Sequence, residues 1–255
     1  MDIVIIGTGN VAIVLGRKFR MAGHQIVQVA GRNVAAISSL AKEWETTCTD
    51  KWDLINASAD IILIAVTDNA IEELALQLKA PDCVVVHTAA AVSKNVLENT
   101  TSHFGVFYPL QSLRKDLEHI PDIPVLYDGS DEMTNTLLKQ LANSISTTPA
   151  AQAGDEVRLK LHVAAVIVSN FPNYLYTIAE EYCRKEELDF QQLLPLIEET
   201  AVRIRNISPG KVQTGPAIRH DNATIHKHLA LLEKYPEIKK LYSFLSENIA
   251  SNKIT

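Results

Sequence analysis

The chain has 255 residues, 47% hydrophobic and 21% charged, with 24 basic and 30 acidic side chains and a formal net charge of -6. That length suits one large domain or two modest ones, and that apolar content supplies a packed core rather than a disordered chain. Basic residues gather only into short pairs such as Arg17-Lys18 and Lys239-Lys240, which argues against the basic face that duplex binding needs. Three widely spaced cysteines, Cys48, Cys83 and Cys183, read as free thiols in a reducing compartment rather than a disulfide framework. No apolar run approaches the roughly 20 residues of a membrane span. The chain opens on a strand-like run without a basic leader. A soluble cytoplasmic protein with no nucleic-acid or membrane partner is expected.

In chain order, Ile3 to Ile6 form a β-branched run, as in a strand buried on both faces of a parallel sheet. Gly7-Thr8-Gly9-Asn10-Val11-Ala12 follows, then a helical pattern to Ala22 closed by Gly23, then a second strand from Gln25 to Ala30. This is the Ala form of the G-x-G-x-x-G dinucleotide fingerprint in its strand-turn-helix-strand context. Gly7 permits the tight turn, Gly9 lets a pyrophosphate approach the backbone, and small Ala12 lets the helix lie close to the strand. The helix N-terminus offers unpaired N–H groups and a positive dipole end to phosphates. The competing reading is a Gly-rich turn that binds nothing.

The second strand ends in Ala30-Gly31-Arg32-Asn33, without the carboxylate that usually accepts from an NAD ribose. Arg32 suits a 2'-phosphate through its planar fork, and Asn33 can add a hydrogen bond. The cofactor read from these residues is NADP(H); the alternative is that Arg32 is a solvated loop residue. Further strands are expected at 61–66, before a helix starting near Asp68, and at 83–87. Val66, Thr67, Asp68, His87 and Thr88 then stand at strand ends, where open α/β sheets bind ligands. His87 reads equally well as a strand-end histidine bonded to backbone. "FGVFYPLQSL" and "IPVLYDG" read as shorter strands in the far part of the sheet. "SDEMTNTLLKQLANSI" is a helix capped by Ser130 or Asp131.

After Pro149 the β-branched runs stop. The fold class is therefore α/β. A doubly wound Rossmann NADP-binding domain spans 1–152, and an all-α domain spans 153–255. One helix from Asp155 to about Lys185, kinked at Pro172, reads as a buried rod because "LHVAAVIVSNF" is too apolar for a solvated surface. Arg158, His162, Ser169, Asn170 and Asn173 form a polar stripe along it, facing either a substrate cleft or hydrogen-bond partners in the core. Shorter helices are expected near 189–206, 222–233 and 236–250. Near the C-terminus, "QTGPAIRHDNATIHKHLALL" looks metal-binding, but His226 and His228 are two apart and point to different sides. No metal is expected. Asp221 or Asn222 caps a helix there, and Thr214 and Arg219 are left without a structural reason.

Taken together, Gly7-x-Gly9-x-x-Ala12, "GRN" at 31–33, "YPLQS" at 108–112, "HVAAVIVSNF" at 162–171 and "TGPAIRHD" at 214–221 resemble a bacterial family labelled NADP oxidoreductases. That family joins a Rossmann-like domain to a domain of unknown function with the helical fold of 6-phosphogluconate dehydrogenase. A wider similarity is to pyrroline-5-carboxylate reductase, the β-hydroxyacid dehydrogenases and deazaflavin-dependent NADP reductases. The resemblance implies a homodimer through the helical domain. It also implies a substrate cleft between domains, with the 162–170 and 214–221 stretches beside the cofactor.

Hydride transfer to or from a small C=O or C=N substrate is the function expected. The expected site residues are His162 for proton transfer, Asn170 and Thr214 for orientation, and Arg219 for a substrate carboxylate. The chain departs from its relatives at His87-Thr88-Ala89-Ala90, at Tyr108 where they tend to have His, and at Arg219-His220-Asp221. Those departures keep open a non-catalytic NADP(H)-binding sensor or scaffold. A true pyrroline-5-carboxylate reductase is a third reading.

Overall fold

The computed structural model describes residues 1–117 and 119–251. It divides into two compact units, Met1–Asn170 and Phe171–Thr255. The first opens with β1 (Asp2–Ile6), α1 (Asn10–Met21), β2 (Gln25–Ala30), α2 (Val34–Trp44) and β3 (Thr47–Thr49). There follow β4 (Ile61–Ile64), α3 (Asp68–Gln77), β5 (Val84–His87), β6 (Phe104–Pro109), β7 (Val125–Gly129), α4 (Glu132–Ile145), β8 (Ala151–Gln152) and α5 (Asp155–Ala165). The strands form one sheet in the order β3-β2-β1-β4-β5-β6-β7-β8. From β3 to β6 every pairing is parallel, β7 runs antiparallel to β6, and β8 is parallel to β7. This is the doubly wound Rossmann order, whose direction reverses between β1 and β4.

Alternation along the strands builds two cores. Ile3, Ile5, Ile61 and Leu63 face one side, against Val14 and Phe19 of α1, Trp44 of α2 and Leu138 and Leu141 of α4. Val4, Ile6, Ile62 and Ile64 face the other, against Ile71 and Leu74 of α3. Both faces of these strands are covered, which explains why they read as unbroken apolar runs. Gly16 on α1 sits under Trp44, whose ring would lie 2.4 Å from an added Cβ. Asp131 caps α4, accepting from the backbone N–H of Thr134 at 2.9 Å and lying 2.9 Å from His103 Nδ1.

Three expectations are corrected. No element is expected from sequence at 34–49, where α2 and β3 lie, and none at 150–154, where the two residues of β8 extend the sheet. The long helix is not one α-helix: a π-helical turn, Val166–Asn170, separates α5 from α6 (Phe171–Lys185). Pro172 is the second residue of α6, directly after the π turn, where the regular i to i−4 ladder is already interrupted. Nor is the rod buried. Arg158 is the one buried residue of α5, while Val163 is 55% and Val168 72% exposed.

The second unit continues from α6 with α7 (Leu194–Arg203), α8 (Asn222–Leu231) and α9 (Pro236–Ser251). Aromatic and charged contacts hold these helices. Tyr182 and Tyr235 meet edge-on at 5.5 Å, Glu186 accepts from the Tyr235 hydroxyl, and Lys234 pairs with Glu186 at 2.7 Å. Cys183, Ala217 and Leu232 are its buried hydrophobic residues among those described.

The tightest point is Gly7, with φ +131° and space for a Cβ only 2.2 Å from the Ala65 carbonyl oxygen. Gly7→Ala combines backbone strain with overpacking and is expected to cost at least about 3 kcal/mol. Urea unfolding of the two proteins side by side checks this; an unchanged midpoint would contradict it.

Candidate functional site

The Rossmann turn opens a cavity of about 640 Å³ at the carboxyl ends of β1, β2 and β4. Gly7, Thr8, Gly9, Asn10 and Val11 form one wall, Arg32 and Asn33 a second, and Val66 and Thr67 a third. These nine sequence-predicted residues therefore line one space. Gly31, Trp52, Ala65, Ala70, Glu73, Leu74 and Gln77 complete the lining. Gly31 belongs to the 31–33 motif and the rest carry none; Trp52 reaches the cavity from a short helical turn, Trp52–Leu54, after β3. Only the fold brings them there.

The local geometry fits a dinucleotide diphosphate. Gly9 is the N-cap of α1 and supplies no side-chain acceptor to its first turn. The first N–H groups of the helix are thus left for an outside acceptor. An added Cβ on Gly9 would meet nothing within 4 Å, so the space above the turn is open. No acidic side chain stands in the first turn to repel an anion. Ala12 is fully buried beneath the turn and does not line the cavity. Arg32 is exposed and forms no ion pair among the described residues. Asn33 has one end committed: its Oδ1 caps α2 by accepting from Ala36 N–H at 3.1 Å, which leaves its amide N–H free.

The remaining strand-end candidates fall outside this cavity. His87 is fully buried. Its Nδ1 accepts from Ala89 N–H at 3.2 Å, which places the proton on Nε2, 3.3 Å from the Ser93 carbonyl. Burial pushes its pKa down to about 4, helped by the nearby Arg158 charge and opposed by the Ser93 carbonyl. Both ring nitrogens serve the backbone. Thr88 is also buried and turns its hydroxyl to the Ile64 carbonyl. Asp68 begins α3 beside Thr67.

A second group of polar side chains stands at the far end of the same sheet edge. Tyr108, near the end of β6, places its hydroxyl 2.9 Å from Nδ1 of His162 on α5. Burial raises the Tyr108 pKa, Asp68 raises it further, and Arg158 lowers it. Arg158, one helical turn before His162, is 1% exposed. Its Nε donates to the Ala90 carbonyl at 3.0 Å and its Nη2 to Val92 at 2.7 Å and Asp155 at 2.8 Å. Of the expected stripe, only Arg158 and His162 meet here. Ser169, Asn170 and Asn173 are exposed, as are the apolar Ile167, Val168 and Phe171 around them.

In the second unit, Asp221 caps α8, accepting from Thr224 N–H at 3.0 Å. Thr214 and Arg219 lie exposed in the preceding turns, where Gly215 and His220 take positive φ. His228 Nδ1 lies 2.7 Å from the Tyr242 hydroxyl. Among the described residues no three His, Cys, Asp or Glu side chains converge as a metal site, and no helix is long and apolar enough to cross a membrane.

Known proteins place this geometry. The family model "NADP oxidoreductase coenzyme F420-dependent" matches residues 2–91, and "Domain of unknown function (DUF2520)" matches residues 123–249. A Bacteroides fragilis protein of known structure, described as a "putative NADP oxidoreductase", is 35% identical, with 98% of each chain covered and a TM-score of 0.89. The chain belongs to this NADP oxidoreductase family. The fold is shared more widely. Pyrroline-5-carboxylate reductase of Streptococcus pyogenes is 14% identical over 98% of both chains, with a TM-score of 0.63. An imine reductase of Myxococcus stipitatus in complex with NADP+ is 16% identical over 98% of this chain and 95% of its own, with a TM-score of 0.67. No curated protein matches the chain. The family relation makes this protein an oxidoreductase with a nicotinamide nucleotide cofactor.

His87 gives this site a pH signature. Unfolded, it binds a proton below about 6.5; folded, only below about 4. The unfolded state therefore holds more protons in that window, and stability falls as pH drops from 6.5 to 4, by about 3 kcal/mol in full. Urea titrations at several pH values are expected to show His87→Gln lacking this part of the fall. Parallel curves would assign it elsewhere.

Proposed function

We propose that the protein uses NADP(H) to reduce a small C=O or C=N compound, or to oxidise the corresponding alcohol or amine. The observation that carries this is the open phosphate cradle at Gly7–Val11, with an unpaired Arg32 beyond a second strand that ends without a carboxylate. When bound, such a cofactor supplies or removes a hydride at carbon.

The chain's own residues divide the work. Backbone N–H groups at the start of α1 hold the diphosphate. Arg32 pairs with the 2'-phosphate, and the free amide of Asn33 donates beside it. Val66 and Thr67 bound the cavity on the β4 side. His162 belongs to the proton path, since an imidazole can both accept and donate a proton. Asn170, Thr214 and Arg219 keep exposed polar atoms for orienting a substrate. The description of the Bacteroides relative and the NADP+ complex of the imine reductase support the choice of cofactor.

A homodimer is part of the proposal. Val163, Ile167 and Val168 of the first unit, and Phe171 and Tyr174 of the second, are each more than half exposed. The second unit buries few apolar side chains of its own. Apolar side chains left exposed in each unit support association with a second copy.

Two outcomes are expected. Arg32→Ala weakens NADPH by about 2 kcal/mol, the worth of a hydrogen-bonded charge pair, and leaves NADH unchanged; fluorescence titration of both nucleotides measures this. An equal loss for the two would remove Arg32 from the 2'-phosphate. Sedimentation equilibrium is expected to give twice the chain mass, and Val168→Asp to shift the protein toward monomer. A monomeric parent protein would dismiss the dimer.

A further inference from the structure

Cofactor binding leaves one polar group at the carboxyl edge of the sheet unused. Tyr108 and His162 meet edge-on, ring centroids 6.0 Å apart, with hydroxyl and Nδ1 2.9 Å apart. Among the described residues, the His162 side chain bonds to Tyr108 alone, so Nε2 is left for solvent. Arg158 lies one turn back on the same face of α5. Its Nε and Nη2 are satisfied, but Nη1 is buried with no partner among the described residues. Such an orphan donor costs free energy and calls for a reason. The charges acting on the Tyr108 hydroxyl are Arg158 from α5 and Asp68 from α3. Asp68 adjoins Thr67 in the wall of the cofactor cavity. Tyr108 therefore stands between the cofactor side of the sheet edge and a histidine open to water.

We propose that Tyr108 protonates the substrate, with His162 as its proton relay and Arg158 as the charge that stabilises the tyrosinate. This rests on the reductase reading above and names the group that meets the substrate. The Tyr108 O–H bond breaks, and an O–H or N–H bond forms on the substrate heteroatom whose carbon is being reduced. The tyrosinate recovers a proton from His162 Nδ1, while Nε2 takes one from water. Once product leaves, a water in its place protonates Tyr108 as the hydroxyl hydrogen passes to Nδ1 and Nε2 releases its proton to solvent, which restores the Nδ1–H tautomer. A hydroxyl can accept and donate at once, so Tyr108 accepts from Nδ1–H and aims its own hydrogen at the substrate. Neutral His162 must then carry its proton on Nδ1. The opposite tautomer turns the hydroxyl hydrogen toward the imidazole and leaves none for the substrate. The unpaired Nη1 fits a group whose electrostatic task comes with the tyrosinate rather than with a fixed acceptor.

The test uses the full chain, Tyr108→Phe and His162→Asn. Nitrogen NMR of labelled histidine reads the His162 tautomer without turnover. NADPH titration checks that each variant folds and binds. Loss of NADPH absorbance with small cyclic imines and keto acids reads the reaction. The expected result is an Nδ1–H tautomer in the parent protein that shifts toward Nε2–H in Tyr108→Phe. NADPH affinity is unchanged in both variants. The value of kcat falls on the order of 100-fold or more in Tyr108→Phe. It falls less in His162→Asn and is restored there by added imidazole. An Nε2–H tautomer in an active parent protein, or retained turnover in Tyr108→Phe, overturns the proposal alone. A parent protein that binds NADPH and reduces nothing in the panel overturns the reductase reading and the proposal with it.

Discussion

Where β1 ends, the chain turns through Gly7 at φ +131°, so close to β4 that a Cβ would lie 2.2 Å from the Ala65 carbonyl oxygen. Everything at the cofactor end follows from that approach. Gly7 N–H donates to Ala30 of β2 at 2.8 Å, and Ala65 N–H donates to Ile6 of β1 at 2.8 Å. The turn is thus tied to the strands on both of its sides at the point where sheet order reverses. Only a residue without a side chain fits there. The turn then delivers Gly9 as a bare helix cap and leaves the first N–H groups of α1 facing the cavity. The proposed phosphate site is a by-product of how tightly β1 and β4 are joined.

The same economy explains which parts of the molecule were legible in the sequence. A strand covered on both faces must be apolar throughout, so β1, β2, β4 and β5 announced themselves. Positions constrained by backbone geometry were also legible: Gly7 and Gly23, both at positive φ, stand where the chain turns. Residues whose role depends on distant chain segments left no trace. Trp52, Glu73 and Gln77 line the cavity only because the turn after β3 and helix α3 come to the carboxyl ends of β1, β2 and β4. The two residues of β8 are too few to carry a period. The π turn is hidden in a run that reads as ordinary helix, since one extra residue per turn leaves composition unchanged.

Exposure of α5 makes a related point about apolar patterning. "LHVAAVIVSNF" is too hydrophobic for water, and from that the sequence implies burial. It does not imply what does the burying. Within the chain, α5 buries Arg158 while Val163 and Val168 face outward. A hydrophobic period therefore measures how much surface must leave water in the working assembly, not in the single chain. The inversion also accounts for the polar stripe: its buried members stayed with the sheet, and the rest went with the open face.

Arg158 joins these observations. Taking a guanidinium out of water costs several kcal/mol unless acceptors replace the solvent. Here Ala90, Val92 and Asp155 supply them. Those partners bind the loop after β5 to the first turns of α5. That attachment helps hold α5, and with it His162, beside β6 where Tyr108 ends the strand. The retained charge also helps keep His87 neutral, with its Nδ1 serving as an acceptor that shapes the turn after β5. One buried cation thus fixes the loop and the helix, and adds to the burial that keeps a neighbour neutral. An apolar residue of the same volume could fill the space, but it could neither clamp the two carbonyls nor bias the ionisation of Tyr108. That difference separates a position kept for packing from one kept for chemistry.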